Sequence, residues 1–167
     1  MVIMNSNKKK PFFTICTEVS NREKTIERTL ISISNQDFFD YEYIIVDNAS
    51  SDKSHDVISR YLREDKNLSL KTTYIRLEEK LQDIASWNKP LEFAVGSYIV
   101  VCEGDDWFEK NHLSFAYKIL TVNHEVGMYI SLRADLHNFQ GSNLLTEEFY
   151  GYLNSSVMLK SLILFDF

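Results

Sequence analysis

The sequence predicts an α/β fold with a mostly parallel central sheet flanked by helices. Continuous apolar runs of strand length recur along the chain, separated by stretches with apolar residues at helical spacing. About two dozen residues lie between the first two runs, enough for a helical crossover between parallel strands. Such sheets bind ligands outside the carboxyl ends of their strands, so the residues that follow each strand are the first candidates for function.

The first βαβ unit is the clearest part of this pattern. Residues 11–16 form an apolar run that predicts a strand covered on both faces. Ser20 and Glu23 have the spacing of a capping box, which predicts a helix that begins there and ends near Gln36. The run Tyr41–Asp47 predicts the second buried strand, parallel to the first.

The alternation continues after the second strand. Ser50, Ser51 or Asp52 can cap the next helix, whose apolar stripe ends before a polar turn at residues 63–67. A third strand is expected over residues 70–76. These elements extend the sheet by a second crossover.

Four more elements follow in the same order. Residues 81–95 have helical spacing, and Pro90 within them predicts that this helix bends or restarts there. Residues 97–103 predict the fourth and most clearly buried strand. A helix over residues 109–122 and a strand over residues 126–133 are expected next.

Composition and charge indicate one globular domain. The chain has 167 residues, 44% of them hydrophobic, and we expect a flexible basic tail (1–10) before a single domain (11–167). A net charge of −6 argues against nucleic-acid binding, which relies on clustered Lys and Arg. No apolar run reaches the ~20 residues of a membrane span, and the first ten residues do not form a signal peptide. We therefore expect a cytoplasmic protein without a transmembrane segment, and its basic tail allows peripheral contact with the inner face of the membrane.

Cysteines and histidines do not indicate a metal site. Cys16 and Cys102 lie near strand ends without metal-ligand spacing, so free buried thiols are expected. The four histidines are scattered, and none has the spacing of a helical zinc pair. Imidazole ligands are therefore not expected.

Three polar clusters follow predicted strands, at residues 17–21, 47–52 and 103–106. Because the carboxyl ends of parallel strands meet at one edge of a sheet, these clusters should converge. None contains a glycine-rich phosphate loop, which disfavours a dinucleotide or a P-loop-bound triphosphate.

Two of these clusters contain carboxylates with more than one interpretation. In the acidic cluster at 103–106, groups about 5 Å apart repel by roughly 3 kcal/mol at an effective dielectric constant near 20. A divalent cation would relieve that repulsion, and oxygen ligands suit Mg²⁺ or Mn²⁺. The alternative is an acidic turn that caps the next helix. Asp47 can accept a hydrogen bond from a base or ribose, or form an Asx turn.

Several segments together resemble family 2 glycosyltransferases in order and spacing. They are residues 13–21, 29–36, 43–52, 87–88, 94–99 and 103–106, which span about 95 of the first 110 residues. The resemblance implies the Rossmann-like GT-A fold of nucleotide-diphospho-sugar transferases. It also implies inverting, metal-dependent transfer from a UDP- or GDP-sugar to a saccharide or lipid-linked acceptor. The setting would be cell-surface polysaccharide or lipopolysaccharide synthesis.

The resemblance also assigns roles to individual residues. The residues implied to bind the nucleotide sugar are Thr17, Glu18, Ser20, Asp47, Asn88, Glu103, Gly104 and Asp105. Among them Asp47 corresponds to the carboxylate that contacts the base, and Asp105 to the metal ligand on the diphosphate. Three positions depart from the family pattern: Glu103 stands where Asp is usual, Ser20 where Tyr is common, and Trp87 where Arg is frequent.

The catalytic base is not identified in this chain. The resemblance implies an acceptor-side Asp or Glu beyond a stretch that matches residues 155–160, and the sequence ends at Phe167. We therefore expect a complete nucleotide-binding half and a truncated acceptor half, with Glu147 and Glu148 interpreted as a helix start. Three alternatives stay open: a nucleotide-sugar-binding module with weak or no catalysis, a phospho-accepting signalling domain, and a nucleotidyltransferase.

Overall fold

The computed structural model of the chain describes residues 10–122, 126–130 and 151–154. The chain divides into two compact units, the first ending at Leu113 and the second beginning at Ser114. The single domain over residues 11–167 stays a prediction. Residues 131–133, 155–160 and the pair Glu147 and Glu148, which carried sequence predictions, lie outside the described residues.

Helices and strands alternate along the described chain. The elements are β1 (Phe13–Val19), α1 (Ile26–Ser34), β2 (Tyr41–Asp47), α2 (Ser54–Glu64), α3 (Lys66–Ser69), β3 (Thr72–Arg76), α4 (Asp83–Asn88), a 3₁₀ helix (Lys89–Phe93), β4 (Tyr98–Val101), α5 (His112–Val122), β5 (Val126–Ile130) and β6 (Gly151–Asn154). β5 and β6 pair antiparallel in the second unit.

A parallel four-stranded sheet in the order β3-β2-β1-β4 forms the centre of the first unit. The two central strands, β1 and β2, pair along all seven of their residues and are buried almost throughout. α1 covers the sheet with Ile26, Leu30 and Ile33, which are completely buried. Burial of each such side chain stabilises the fold by about 1.5–3 kcal/mol. This core therefore holds the helix and the strands, with their carboxyl ends, in place.

The predicted bounds hold for β2 and differ at the start of α1. β1 continues to Val19, three residues beyond its predicted end, because it pairs with β2 as far as the last residue of that strand. The capping box of Ser20 and Glu23 is wrong. α1 begins at Ile26, and the Glu23 carboxylate instead accepts a hydrogen bond from the N–H of Lys53 at 3.0 Å.

Two acidic side chains mark the next helix starts. The N-cap of α2 is Lys53, so the prediction of Ser50, Ser51 or Asp52 as its cap is wrong by at least one residue. Asp52 still bonds to the start of the helix, since its Oδ1 accepts the N–H of Ser54 at 2.9 Å. The polar turn predicted at residues 63–67 is partly helical, because Asp65 caps α3 by accepting the N–H of Leu68 at 3.0 Å. α5 begins three residues later than predicted, at His112.

The prediction for Pro90 is confirmed, and that for β4 is partly wrong. α4 ends at Asn88, and the chain continues as a 3₁₀ helix with Pro90 in its first turn. β4 is less buried than predicted, with Ile99 45% and Val101 67% exposed. Among the described residues β4 pairs with β1 alone, so it is an outer strand with one face open. Gly96 precedes it because a Cβ there would lie 2.5 Å from the backbone nitrogen of Thr14.

The cysteine prediction is confirmed. Cys16 and Cys102 are both free and buried. Burial, followed by the charge of Glu42, raises the pKa of Cys16 to about 12, so this side chain is a protonated thiol near neutral pH.

Within the described part of the chain, no helix is both long and apolar enough to cross a membrane.

Candidate functional site

All four parallel strands end at one edge of the sheet, and two groups of polar residues lie there. We name them the Asp47 cluster (Asp47, Ser50, Tyr74 and Arg76) and the acidic turn (Glu103, Asp105 and Asp106). The loop between β1 and α1 connects them. The N–H of Asn21 donates to Ser50 Oγ at 3.0 Å, and Nε of Arg22 lies 3.4 Å from Oδ2 of Asp105. The two groups therefore share one rim, as the parallel topology predicts.

Asp47 is completely buried at the end of β2, and the protein occupies both of its oxygens. Oδ1 accepts the N–H of Ser50 at 2.8 Å. Oδ2 accepts the hydroxyl of Tyr74 at 3.2 Å and lies 3.6 Å from Nε of Arg76. A buried carboxylate needs such partners, because an unpaired one would cost several kcal/mol. Asp47 thus organises the strand ends around itself.

Sequence reasoning missed Tyr74 and Arg76, which come from the end of β3. The register of β2 and β3 places Arg76 directly opposite Asp47. The Arg76 side chain is 47% exposed, and its Nη2 also donates to the carbonyl of Ser50 at 3.2 Å. Burial, together with the negative charge of Asp47, raises the pKa of Tyr74. Applying the strand-end argument to the third strand as well would have identified Arg76.

Two residues in the loops of this rim have left-handed backbone conformations. The φ angle is 56° at Asn21 and 53° at Ala49. Asparagine tolerates this region, whereas at alanine it costs about 1–2 kcal/mol. Asn21 contributes a second contact, since its Oδ1 accepts the N–H groups of Ser51 at 2.9 Å and Asp52 at 3.3 Å. Strained backbone of this kind is concentrated at functional sites.

The residues predicted to follow the first strand differ in how they are placed, and Thr17 and Glu18 lie within β1 itself. Thr17 is fully buried, its hydroxyl donating to the carbonyl of Cys102 at 2.6 Å and accepting from Tyr43 at 3.0 Å. Glu18 and Ser20 are half-buried at the rim, and the carbonyl of Ser20 accepts a hydrogen bond from Arg22. Thr17 thus ties β1 to the start of the acidic turn, while the other two remain accessible.

The acidic turn brings three carboxylates together just after β4. One oxygen from each of Glu103, Asp105 and Asp106 lies within 4.8 Å of the others. Gly104 lets the turn lie close to the end of β1 and to Arg22. A Cβ at that position would lie 3.1 Å from Cγ of Arg22 and 3.3 Å from the carbonyl oxygen of Glu18. The predicted residues at 103–105 are therefore held close to the end of β1.

The carboxylates of the acidic turn act on one another electrostatically, and the Arg22 side chain is a nearby cation. Loss of water around the Glu103 carboxyl, followed by the charges of Asp105 and Asp106, raises the pKa of Glu103, and Arg22 partly opposes that shift. At these separations each carboxylate pair repels by roughly 3 kcal/mol at an effective dielectric constant near 20, and solvent reduces this further. Three carboxylate oxygens are also the ligand chemistry that Mg²⁺ and Mn²⁺ prefer. The donor set therefore fits a divalent cation.

Asn88 is the predicted site residue that comes from α4. It is exposed at the last residue of α4, and in the described part of the chain no hydrogen bond joins it to the Asp47 cluster or the acidic turn. Asn48, which follows Asp47, is buried and fixes the loop that leads to α4. Its side chain forms two hydrogen bonds with the backbone of Leu81, at 3.0 and 2.7 Å. Trp87, which departs from the family pattern, is 65% exposed.

Two surface depressions include no residue of the Asp47 cluster or the acidic turn. One, of about 440 Å³, runs along α2 beside Lys53, His55 and Arg60. The other, of about 280 Å³, lies between Ser32 and Lys110. Neither includes a residue predicted to bind a ligand, so the strand-end chemistry rather than the size of a depression locates the candidate site.

Comparison with known proteins agrees with this architecture. The sequence model of the family described as "Glycosyl transferase family 2" matches residues 14–153. An uncharacterized glycosyltransferase of Methanocaldococcus jannaschii is 30% identical over 124 residues, which cover 73% of this chain and 41% of that protein. The chain thus spans less than half the length of this relative.

Two solved structures share the fold. The first is Staphylococcus aureus TarS in complex with UDP-GlcNAc, with a TM-score of 0.66 and 25% identity over 78% of this chain and 36% of that one. The second is a mannosyltransferase of Pyrobaculum calidifontis in complex with GDP-Man and Mn²⁺, also with a TM-score of 0.66 and 25% identity, over 78% of this chain and 38% of that one. The predicted GT-A fold is confirmed, and the chain belongs to glycosyl transferase family 2.

Proposed function

We propose that this chain binds a nucleoside-diphosphate sugar and serves in transfer of the sugar to an acceptor hydroxyl. The observation that carries the proposal is the acidic turn, whose three carboxylates lie within 4.8 Å on the rim that also holds Asp47. Family membership supports a transferase. The solved neighbours support the donor class, since one holds UDP-GlcNAc and the other GDP-Man with Mn²⁺.

The proposed donor site divides its work between the two groups. The residues proposed to bind the nucleotide sugar are Thr17, Glu18, Ser20, Asp47, Asn88, Glu103, Gly104 and Asp105. Asp105 would hold Mg²⁺ or Mn²⁺ together with its acidic neighbours. When bound, that ion would offset the negative charge of the donor's diphosphate and so stabilise the nucleoside diphosphate as a leaving group. Arg22 and Arg76 add cationic side chains to the same rim, where each can donate hydrogen bonds to an anionic ligand.

Several finer features belong to the same proposal. We propose inversion at the anomeric carbon, with an acceptor-side carboxylate as base that is not assigned to any described residue. The acceptor would be a saccharide or a lipid-linked molecule in cell-surface polysaccharide or lipopolysaccharide synthesis. In support, the TarS relative is named a poly(ribitol-phosphate) beta-N-acetylglucosaminyltransferase. The proposed location is the cytoplasm, with contact at the inner face of the membrane as an option for the basic tail.

Calorimetric titration of this chain with UDP and with GDP, each with and without Mn²⁺, tests the proposal. We expect nucleotide binding that requires Mn²⁺ and that Asp105→Asn weakens at least about tenfold, because the substitution removes a charged oxygen ligand. Asp37→Asn is the matched control, since it removes an exposed carboxylate outside both groups. Equal nucleotide affinity in the wild type and Asp105→Asn would contradict the proposal. A parallel transfer assay separates an active enzyme from a module that binds donor without turnover.

A further inference from the structure

A row of polar side chains on α1 contacts the backbone of the acidic turn. We call it the α1 polar stripe and define it as Thr25, Thr29, Ser32 and Gln36. The spacing of four, three and four residues puts these side chains on one face of the helix and its flanking residues. Thr29, Ser32 and Gln36 are buried, and Thr25 is half-buried. Buried polar groups in such a row need partners, and the acidic turn and the segment that follows it supply them.

The first half of the stripe, together with Arg28, binds three consecutive carbonyls of the turn. The hydroxyl of Thr25 donates to the carbonyl of Gly104 at 2.9 Å, and the hydroxyl of Thr29 donates to the carbonyl of Asp106 at 2.6 Å. Between them, Nη2 of Arg28 donates to the carbonyl of Asp105 at 2.8 Å. Each carbonyl of the turn from residue 104 to 106 therefore points towards α1, which fixes the orientation of the intervening peptide planes.

The second half of the stripe holds the segment that follows the turn. Oγ of Ser32 accepts the N–H of Phe108 at 3.1 Å. The Gln36 amide makes two bonds to this segment, donating to the carbonyl of Glu109 at 2.8 Å and accepting the N–H of Leu113 at 3.0 Å. The turn is thus anchored on both sides of its carboxylates, and thermal motion of its backbone is restricted.

This anchoring explains how three mutually repelling carboxylates stay within 4.8 Å of one another. Freely moving acidic side chains would separate, because each pair lowers its energy by moving apart. A backbone held from α1 limits how far the side chains of Glu103, Asp105 and Asp106 can diverge. A cation that binds there meets ligands already gathered, so less ordering is required at the moment of binding.

We propose that Thr25 and Thr29 are positioning residues for the acidic turn, setting its affinity for a divalent cation through the backbone carbonyls they hold. The proposal rests on the proposed function in one respect, namely that the turn binds such a cation. Neither threonine would contact the ion, the nucleotide or the sugar. Their hydroxyls, and not their volume, carry the effect.

The test measures Mn²⁺ affinity of the full chain from the EPR signal of free Mn²⁺, together with the thermal midpoint Tm of each variant. Thr29→Val removes the hydroxyl at nearly constant volume, and we expect it to weaken Mn²⁺ binding about five- to tenfold. Thr29→Ser keeps the hydroxyl and should bind Mn²⁺ within about twofold of the wild type. Thr25→Val repeats the test at a half-buried position, and we expect it to weaken Mn²⁺ binding as well. It keeps the test available if Thr29→Val fails to fold.

The matched control is Thr72→Val at the start of β3. Its hydroxyl donates to the carbonyl of Leu68 at 2.7 Å, which is also a bond from a threonine hydroxyl to a backbone carbonyl. β3 lies at the opposite edge of the described sheet from β4, the strand that precedes the acidic turn. It should lower Tm but leave Mn²⁺ affinity unchanged. If Thr25→Val and Thr29→Val bind Mn²⁺ as the wild type does, or if Thr72→Val weakens binding equally, the positioning role is overturned. Absence of Mn²⁺ binding by the wild type would overturn the metal role in the proposed function, and the positioning role with it.

Discussion

The Asp47 cluster and the acidic turn lie on the same rim but differ in how their charges are met. Asp47 is fully buried and has a backbone N–H, a hydroxyl and a guanidinium group as partners. The acidic turn is half-buried to exposed and gathers three carboxylates around the Arg22 side chain. The oxygens of the first group are paired within the protein, whereas the second group brings three carboxylate oxygens within 4.8 Å of one another.

This difference contrasts a buried carboxylate that is paired within the protein with carboxylates that are clustered and partly exposed. Both groups follow parallel strands and both depend on carboxylates, so strand-end position alone does not distinguish them. Burial and partners do distinguish them. Removing the partners of a buried carboxylate destabilises the fold, whereas clustered, partly exposed carboxylates destabilise it by repelling one another. Four substitutions or conditions can break or sharpen this comparison.

The largest expected effect is on stability at Asp47. Asp47→Ala should lower the free energy of unfolding by about 2–4 kcal/mol, because it leaves the Ser50 N–H without its acceptor and Arg76 without its buried carboxylate partner. Asp105→Ala should change it by less than about 1 kcal/mol, since it relieves repulsion at a partly exposed site. Urea unfolding of both variants measures the difference. Equal losses would remove the distinction between the two groups.

The next effect concerns nucleotide binding beside Asp47. Because the oxygens of Asp47 are already occupied, Arg76, which is 47% exposed, is the cluster's accessible donor. Arg76→Met should weaken binding of UDP or GDP about five- to tenfold, equivalent to one charge-assisted hydrogen bond. Mn²⁺ binding in the absence of nucleotide should not change. A calorimetric titration that finds unaltered nucleotide affinity would exclude Arg76 from the site.

A smaller effect is expected from Arg22. Its Nε lies 3.4 Å from Oδ2 of Asp105, so its charge competes with a cation at the acidic turn. Arg22→Gln should raise Mn²⁺ affinity about two- to fivefold without nucleotide, as expected for a solvent-screened charge. Arg60→Gln is the matched control, because Arg60 pairs with Glu27 at 2.9 Å with similar exposure. Weaker Mn²⁺ binding in Arg22→Gln would show that Arg22 supports the turn instead of competing.

The smallest expected effect is a pH dependence of the acidic turn. The pKa of Glu103 is raised by loss of water and then by Asp105 and Asp106, so this residue takes up a proton at higher pH than an ordinary glutamate. Mn²⁺ affinity should therefore fall as the pH is lowered from neutral, and fall less in Glu103→Gln.

Without metal the sign for stability is the opposite. Unfolded Glu103 has the lower pKa, so the residue destabilises the fold above its folded pKa, and that loss disappears as the pH falls through it. Unfolding of the metal-free chain at the same pH values measures this contribution. Identical pH profiles in the wild type and Glu103→Gln would mean that Glu103 does not sense its neighbours.

Local pattern predicted the elements better than their partners. The bounds of β2 and the break at Pro90 follow from residues adjacent in sequence, and both were predicted correctly. The bond between Glu23 and Lys53 joins residues thirty positions apart, so a local capping rule assigned that carboxylate wrongly. The exposure of β4 depends on which strands lie beside it, and an apolar run alone does not contain that information.

From the sequence alone came the alternation of strands and helices, the polar groups that follow the strands, and the resemblance to the family. Tertiary structure decided which of those groups are satisfied. The strand order β3-β2-β1-β4 sets Arg76 beside Asp47, and packing of α1 turns Thr25 and Thr29 towards the acidic turn. The physical reason is that burial and pairing of a charge depend on neighbours from distant parts of the chain, whereas periodicity records only which face of an element is apolar.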